Sequence, residues 1–160
     1  MAHTYISNHI HIVFSTKHRE KCLTPEIRER LWKFLGGIAR KNNFEAIIIG
    51  GYDDHCHALV SLPSSISIAK AVQLLKGGSS KWISDTFPEM KNFYWQNAYG
   101  AFSVSVSHID RTVAYIKNQE EHHKRQTFEN EYIGFLEIHN IAFDRETIFV
   151  EDDNKKTDMG

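Results

Sequence analysis

FEAIIIGGYDDHCHALVSL, residues 44–62, holds two apolar runs around the turn Gly50-Gly51-Tyr52-Asp53-Asp54. Residues 44–49 are β-branched-rich, and Pro63-Ser64-Ser65 stops the second run, so the stretch reads as a β-hairpin. Side chains alternate along a strand. One face of the second strand therefore carries Cys56, Ala58, Val60 and Leu62, and the other carries His55, His57, Leu59 and Ser61. The first set is apolar or small and suits packing against helices. The second puts two imidazoles together on the opposite face.

Working outward, residues 8–16 alternate in the same way, with Ile10, Ile12 and Phe14 on one side and His9, His11, Val13 and Ser15 on the other. Thr24 suits a helix N-cap and Pro25 the first helical position; Ile27, Leu31, Phe34, Leu35 and Ile38 then recur at helical spacing to about residue 41. Gly36-Gly37 within this helix costs roughly 1 kcal/mol each relative to alanine, which a close backbone approach would explain. A second helix is expected from about residue 67 to 83 and a fourth strand over 99–106. A third helix, capped by Ser107 with Asp110 in a capping-box position, should run to about residue 124. A last short helix over about 128–139 should bury Tyr132, Phe135 and Leu136.

The order β-α-β-β-α-β followed by helices predicts an α+β, ferredoxin-like split βαβ sandwich. Its antiparallel sheet packs helices on one face and leaves the other free for a ligand, as in RNA-recognition modules. One domain over residues 1–150 is expected, with an acidic, disordered tail at 151–160.

Composition is that of an ordinary globular chain: 160 residues, 41% hydrophobic and 24% charged. No apolar stretch approaches the roughly 20 residues of a membrane span, and the start MAHTYISNHI lacks a secretion signal's regions. Two cysteines are too few for a disulfide framework, so a reducing cytoplasm is the expectation. The net charge of −1 hides an asymmetry: 16 Lys/Arg against 11 Asp/Glu over residues 1–125, and 3 against 9 over 126–160. A basic body with an acidic end is compatible with bound nucleic acid, and equally with a plain solvated surface.

Side chains two apart on one strand face can grip one ion, which makes His55 and His57 candidate ligands. His9-Ile10-His11 has the same spacing and competes with them, as a packing pair, a phosphate contact or a second layer behind the ligands. On the third helix Tyr115 and Gln119 lie four apart, off the apolar stripe of Ile109, Val113 and Ile116, with His108 and His122 extending their face.

The run His55-Cys56-His57-Ala58-Leu59-Val60-Ser61-Leu62-Pro63 resembles the HUH signature (His, hydrophobic residue, His) of single-tyrosine transposases of the insertion-sequence-200 type. AVQLLKGGSSKW (71–82), YGAFSVS (99–105) and YIKNQEEHH (115–123) are similar to the same family in order and spacing. The resemblance spans about residues 5–150. It implies that His55, His57 and Gln119 hold a divalent ion, Mg²⁺ or Mn²⁺, and that Tyr115 is the nucleophile. Cys56 is a modest departure from the usual bulky hydrophobe, acceptable because a buried thiol packs as a small one.

The activity so implied is cleavage and rejoining of single-stranded DNA at hairpin-flanked element ends through a 5′-phosphotyrosine. The covalent bond conserves the phosphodiester for a second 3′-hydroxyl to reseal. One nucleophilic tyrosine per chain and two cleavages per excision imply a homodimer in a bacterial or archaeal cytoplasm. Candidate phosphate contacts are Lys17, Arg19, Lys21, Lys76, Lys81, Lys117, Lys124 and Arg125; His11 and His122 are candidate supports of the ligands and nucleophile. Trp95, Tyr94 and Tyr99 offer base-stacking surfaces, with Trp95 better suited to the core. The alternatives are a domesticated nuclease acting on repeat hairpins and a non-catalytic single-strand-binding module.

Overall fold

In the computed structural model, which describes residues 2–150, four strands form one antiparallel sheet in the order β2-β3-β1-β4. The strands are β1 (His9–Ser15), β2 (Glu45–Gly51), β3 (His55–Ser61) and β4 (Gly100–Ser103). The hairpin of residues 44–62 is present, and β3 lies at the sheet centre beside β1, with Val13 opposite His57 and His11 opposite Leu59. This is the ferredoxin-like arrangement that the order of elements predicts.

Helices α1 (Pro25–Lys41) and α2 (Ile68–Thr86) cover one face. Thr24 caps α1 by accepting from the Ile27 amide, and Ser67 caps α2 by accepting from the Lys70 amide. Ile10, Ile12 and Phe14 from β1 join Cys56, Ala58 and Val60 from β3 in a core with Leu31, Leu35, Val72 and Leu75. The alternation read from both strands is the alternation observed. Trp95 belongs to this core, its indole N–H donating to the Ser79 hydroxyl at 2.9 Å. Gly36 and Gly37 are not in a close backbone approach; a Cβ at either meets only Arg40 at ordinary contact distance. The crowded glycine between these helices is Gly78, where a Cβ would sit 2.9 Å from Ile38.

The opposite face is not open. Helices α3 (Ile109–Lys117), α4 (Gln119–His123) and α5 (Phe128–Ile138) lie on it and close a second core of Val13, Phe102, Phe128 and Leu136. Of the residues expected to be buried in the last helix, Leu136 is, while Tyr132 and Phe135 are half-buried at the edge of this core. The backbone of α3 comes so near β2 that a Cβ on Gly50 would meet the Ile116 carbonyl oxygen at 2.8 Å. Only glycine fits there without moving the helix that carries Tyr115.

Two expected boundaries differ. Strand β4 ends at Ser103 because a 3-10 turn, Val106–His108, precedes α3. Ser107 does not cap that helix: His108 occupies the cap without a side-chain bond, and Asp110 sits in the first turn, where an acid favours the helix dipole. The expected single helix to residue 124 is interrupted at Asn118, φ −97°, ψ 21°, which divides it into α3 and α4. The acidic tail expected at 151–160 lies outside the described residues.

Candidate active site

The inner face of β3 and the helices above it bury an unusual set of polar groups: His11, His55, His57, Gln119 and Glu131 are each at most 5% exposed. Strand alternation aims His55 and His57 the same way. Each imidazole is held from behind at Nδ1: His55 donates to Asp54 Oδ1 at 2.7 Å, and His57 Nδ1 lies 2.7 Å from His11 Nε2. Both therefore turn Nε2 toward a common centre.

Glu131, from α5, sits at that centre. Its Oε1 is 3.0 Å from His57 Nε2 and 3.5 Å from His55 Nε2, and it also accepts from His123 Nε2 at 3.2 Å. Gln119 places Oε1 2.8 Å from His55 Nε2, and its amide donates to Glu131 Oε2 at 3.0 Å. Tyr115, one helical turn before Gln119, donates its phenol to the same Glu131 Oε2. The ring of His122 stacks on Tyr115 with centroids 4.6 Å apart. The break at Asn118 sits between these two residues of interest without separating them.

The electrostatics follow from this crowding. Burial pushes the Glu131 carboxyl up, but bonds from His123 and His57 and the nearby His55 outweigh it and hold the group well below the usual carboxylate range. Burial, reinforced by the Glu131 charge, pushes the Tyr115 phenol well above its ordinary value. Burial holds His11 well below the ordinary imidazole value, with His57 adding to the effect, and burial likewise lowers His57 despite Glu131. For His123 burial acts downward, and the bond to Glu131 overcomes it, leaving the imidazole raised. The cluster is an anion among imidazoles with a protonated phenol attached.

The donor set suits a divalent ion. One ligand atom each from His55, His57 and Glu131 lies within 4.8 Å of the other two, and Gln119 Oε1 shares the same centre. Imidazole nitrogens with carboxylate and amide oxygens match a borderline-hard ion such as Mn²⁺, and imidazoles secured at Nδ1 are the usual support of such sites.

The four residues singled out in the sequence, His55, His57, Tyr115 and Gln119, thus converge within one chain. His11 stands behind His57 and His122 against Tyr115, while His9 stays at the sheet end, its imidazole 3.4 Å from the Ser7 hydroxyl. Glu131 and Asp54 were missed, and His123, which reads as part of a solvated helix end, instead turns inward onto Glu131. Glu131 had a signal: an acid between Phe128 and Phe135 on the apolar face of the last helix.

Three proposed phosphate contacts are otherwise engaged. Lys76 is 1% exposed, its ammonium donating to the carbonyls of Gln96, Asn97 and Ala98, and burial lowers its pKa to about 8. It pins a loop and does not face solvent. Arg19 pairs with Glu129 at 2.9 Å and lies over the Phe149 ring. Lys21, Lys81, Lys117 and Arg125 are exposed, Lys17 is half-buried, and Lys124 pairs with Glu121. Tyr94 is exposed and Tyr99 half-buried. No helix among the described residues is long and apolar enough to cross a membrane.

The profile of the family described as "Transposase IS200 like" matches residues 4–119. The ISDra2 transposase TnpA of Deinococcus radiodurans is 28% identical over 116 residues, covering 69% of this chain and 83% of the relative. The transposase for insertion sequence element IS200 of Salmonella typhimurium is 27% identical over 128 residues, covering 78% and 84%. Among solved structures, a protein of Deinococcus radiodurans R1 assigned as a transposase superposes with TM-score 0.61 at 26% identity, over 74% of this chain and 96% of that one. A REP-associated tyrosine transposase bound to a REP hairpin shares the fold with TM-score 0.58 at 16% identity, over 96% and 94%. The family match ends at Gln119, so His123 and Glu131 lie beyond it.

Proposed function

The chain belongs to the IS200-like transposase family, and from that premise we propose that it cuts and rejoins single-stranded DNA by transesterification through Tyr115. The observation that carries this reading is the shared carboxylate. Glu131 accepts the Tyr115 phenol on one oxygen and faces the Nε2 atoms of His55 and His57 with the other. Nucleophile and ion cradle are therefore one bonded unit.

His55, His57, Gln119 and Glu131 are the residues that would hold a divalent ion, Mg²⁺ or Mn²⁺. When bound, such an ion supplies Lewis-acid stabilisation of the charge developing on the scissile phosphate. Tyr115 attacks phosphorus; its bond to phosphorus forms as the bond to the 3′-oxygen breaks. The phenol is protonated at rest and gives its proton to Glu131 Oε2 only as attack proceeds, and Glu131 returns a proton to the departing 3′-oxygen. The 5′-phosphate stays on Tyr115 until another 3′-hydroxyl displaces it, reversing each transfer. His11 and Asp54 keep the two imidazoles oriented throughout.

Hairpin ends are the proposed recognition element, in keeping with the hairpin held by the REP-associated relative, whose fold matches 96% of this chain. That same likeness supports a second substrate reading, a repeat hairpin in place of the end of a mobile element. Two cleavages per excision call for two chains.

Incubation with single-stranded DNA from the flanks of its own gene tests the reading. With Mg²⁺ or Mn²⁺ a covalent protein–DNA band is expected; Tyr115→Phe should lose the band and keep hairpin binding. An adduct that survives in Tyr115→Phe overturns the nucleophile assignment, and binding without any adduct in the unaltered protein returns the chain to a binding module.

A further inference from the structure

Gly134 lies in the interior of α5 with no steric reason to be glycine. A Cβ there meets no atom within 4 Å, and glycine within a helix costs about 1 kcal/mol relative to alanine. Gly50 and Gly100 differ, since a Cβ at either would come within 2.8 Å of a neighbour. What Gly134 borders is a cavity of about 350 Å³ between α3 and α5, lined also by Tyr115 and Glu131. Absence of a side chain at 134 keeps that space empty beside the proposed nucleophile.

The remaining lining is of two kinds. Phe135 and Ile138 continue the wall along α5, and Ile138 is 77% exposed, an apolar side chain with no cover. Arg111, Gln126 and Asn130 supply polar groups. All three are exposed, and among the described residues none has a side-chain hydrogen bond or ion pair. An aromatic and aliphatic wall over bare backbone accepts a flat ring. Unpartnered amides answer the edge of a base, and a free guanidinium answers a phosphate. The volume lies in the range of ordinary small-ligand sites.

Resting on the reaction proposed above, we infer that this cavity receives the unpaired nucleoside adjoining the phosphate that Tyr115 attacks. The base packs on Phe135, Ile138 and the exposed backbone at Gly134, and Arg111 meets a neighbouring phosphate. Cleavage then depends on one nucleotide being held out of the strand at a fixed place, which seats the scissile bond against the phenol.

Binding of single-stranded DNA from the gene's flanks, measured by fluorescence anisotropy in Tyr115→Phe protein, tests the inference without cleavage. Abasic sites are placed one position at a time. Removal of one particular base should weaken binding about tenfold, the scale of a lost base–aromatic stack. Gly134→Phe, which fills the cavity, should weaken binding of intact DNA by about the same factor, and the abasic site should then cost nothing more. Ile138→Asp, at an exposed position that folding tolerates, should reproduce the effect in part. An abasic penalty of equal size with and without Gly134→Phe and Ile138→Asp, or no position showing a penalty, overturns the inference. Adduct formation by the unaltered protein without a penalty refutes the cavity alone; a penalty without any adduct refutes the reaction and leaves the cavity standing.

Discussion

Both faces of the sheet are covered, and they are chemically different. Toward α1 and α2, β3 presents Cys56, Ala58 and Val60, and the neighbours are Leu31, Leu35, Val72 and Leu75. Toward α3–α5 the same strand presents His55 and His57, met by His11, Gln119 and Glu131. Apolar burial stabilises without further conditions. Polar burial costs free energy unless every group finds a partner, and a network so satisfied is held in one geometry. The first face therefore makes the sheet a rigid platform, and the second uses that rigidity to fix imidazoles, a carboxylate and a phenol around one point.

Substitutions on the two faces should separate stability from chemistry. The largest effect is expected for His57→Ala, which should leave no detectable protein–DNA adduct while the protein remains folded by circular dichroism; retained cleavage would move attention to His9 and His11. Leu35→Ala, opposite in kind, should cost about 2–5 kcal/mol of unfolding free energy in urea titrations and leave the adduct rate of the remaining folded protein unchanged. Glu131→Gln should weaken Mn²⁺ binding, read by calorimetry, by at least about 10-fold, the effect ascribed to supporting groups alone. An unchanged affinity would remove Glu131 from the ion's surroundings.

Acid should act on the second face. His11 and His57 are held below the ordinary imidazole value of 6.5. The unfolded chain takes up protons near pH 6.5 that the folded chain refuses, so their effect is to lower stability as pH falls through that value. His123, raised by Glu131, opposes them, its contribution being present at low pH and lost as pH rises. The depressed Glu131 carboxyl adds a loss only as pH falls below its ordinary 4.5. With chelator present, the urea midpoint should drop from pH 7.5 to 5.5, and less so in His11→Phe; a midpoint that rises on acidification contradicts the assignment. The smallest effect separates two lysines. Lys81→Ala should lower the salt slope of DNA binding by about one, and Lys76→Met, under its loop, should leave the slope alone.

Much of this was legible in the sequence because alternation is a local property. Period-two patterning in residues 8–16 and 55–62 assigned each side chain to its face, and Thr24-Pro25 marked the start of α1. What alternation cannot tell is what lies above a face. The histidine side was expected to be open, and three helices cover it, because short amphipathic helices after β4 read alike whether they pack on a sheet or on nothing. Glu131 was lost for the same reason: a single acid in an apolar stripe declares its purpose only when strand and helix are juxtaposed. Lys76 is the converse. A lysine in a helix reads as surface, and only the loop at residues 96–98 folding over it makes it interior.

In the proposed reaction one chain supplies both nucleophile and ion cradle, on one face of its sheet. Mixing Tyr115→Phe protein with His57→Ala protein tests it directly, with the unaltered protein forming its Mn²⁺-dependent adduct in parallel. The mixture is expected to stay inactive, because each chain lacks half of its own site. An adduct restored in the mixture would mean that the tyrosine of one chain serves the histidines of another, and would contradict it.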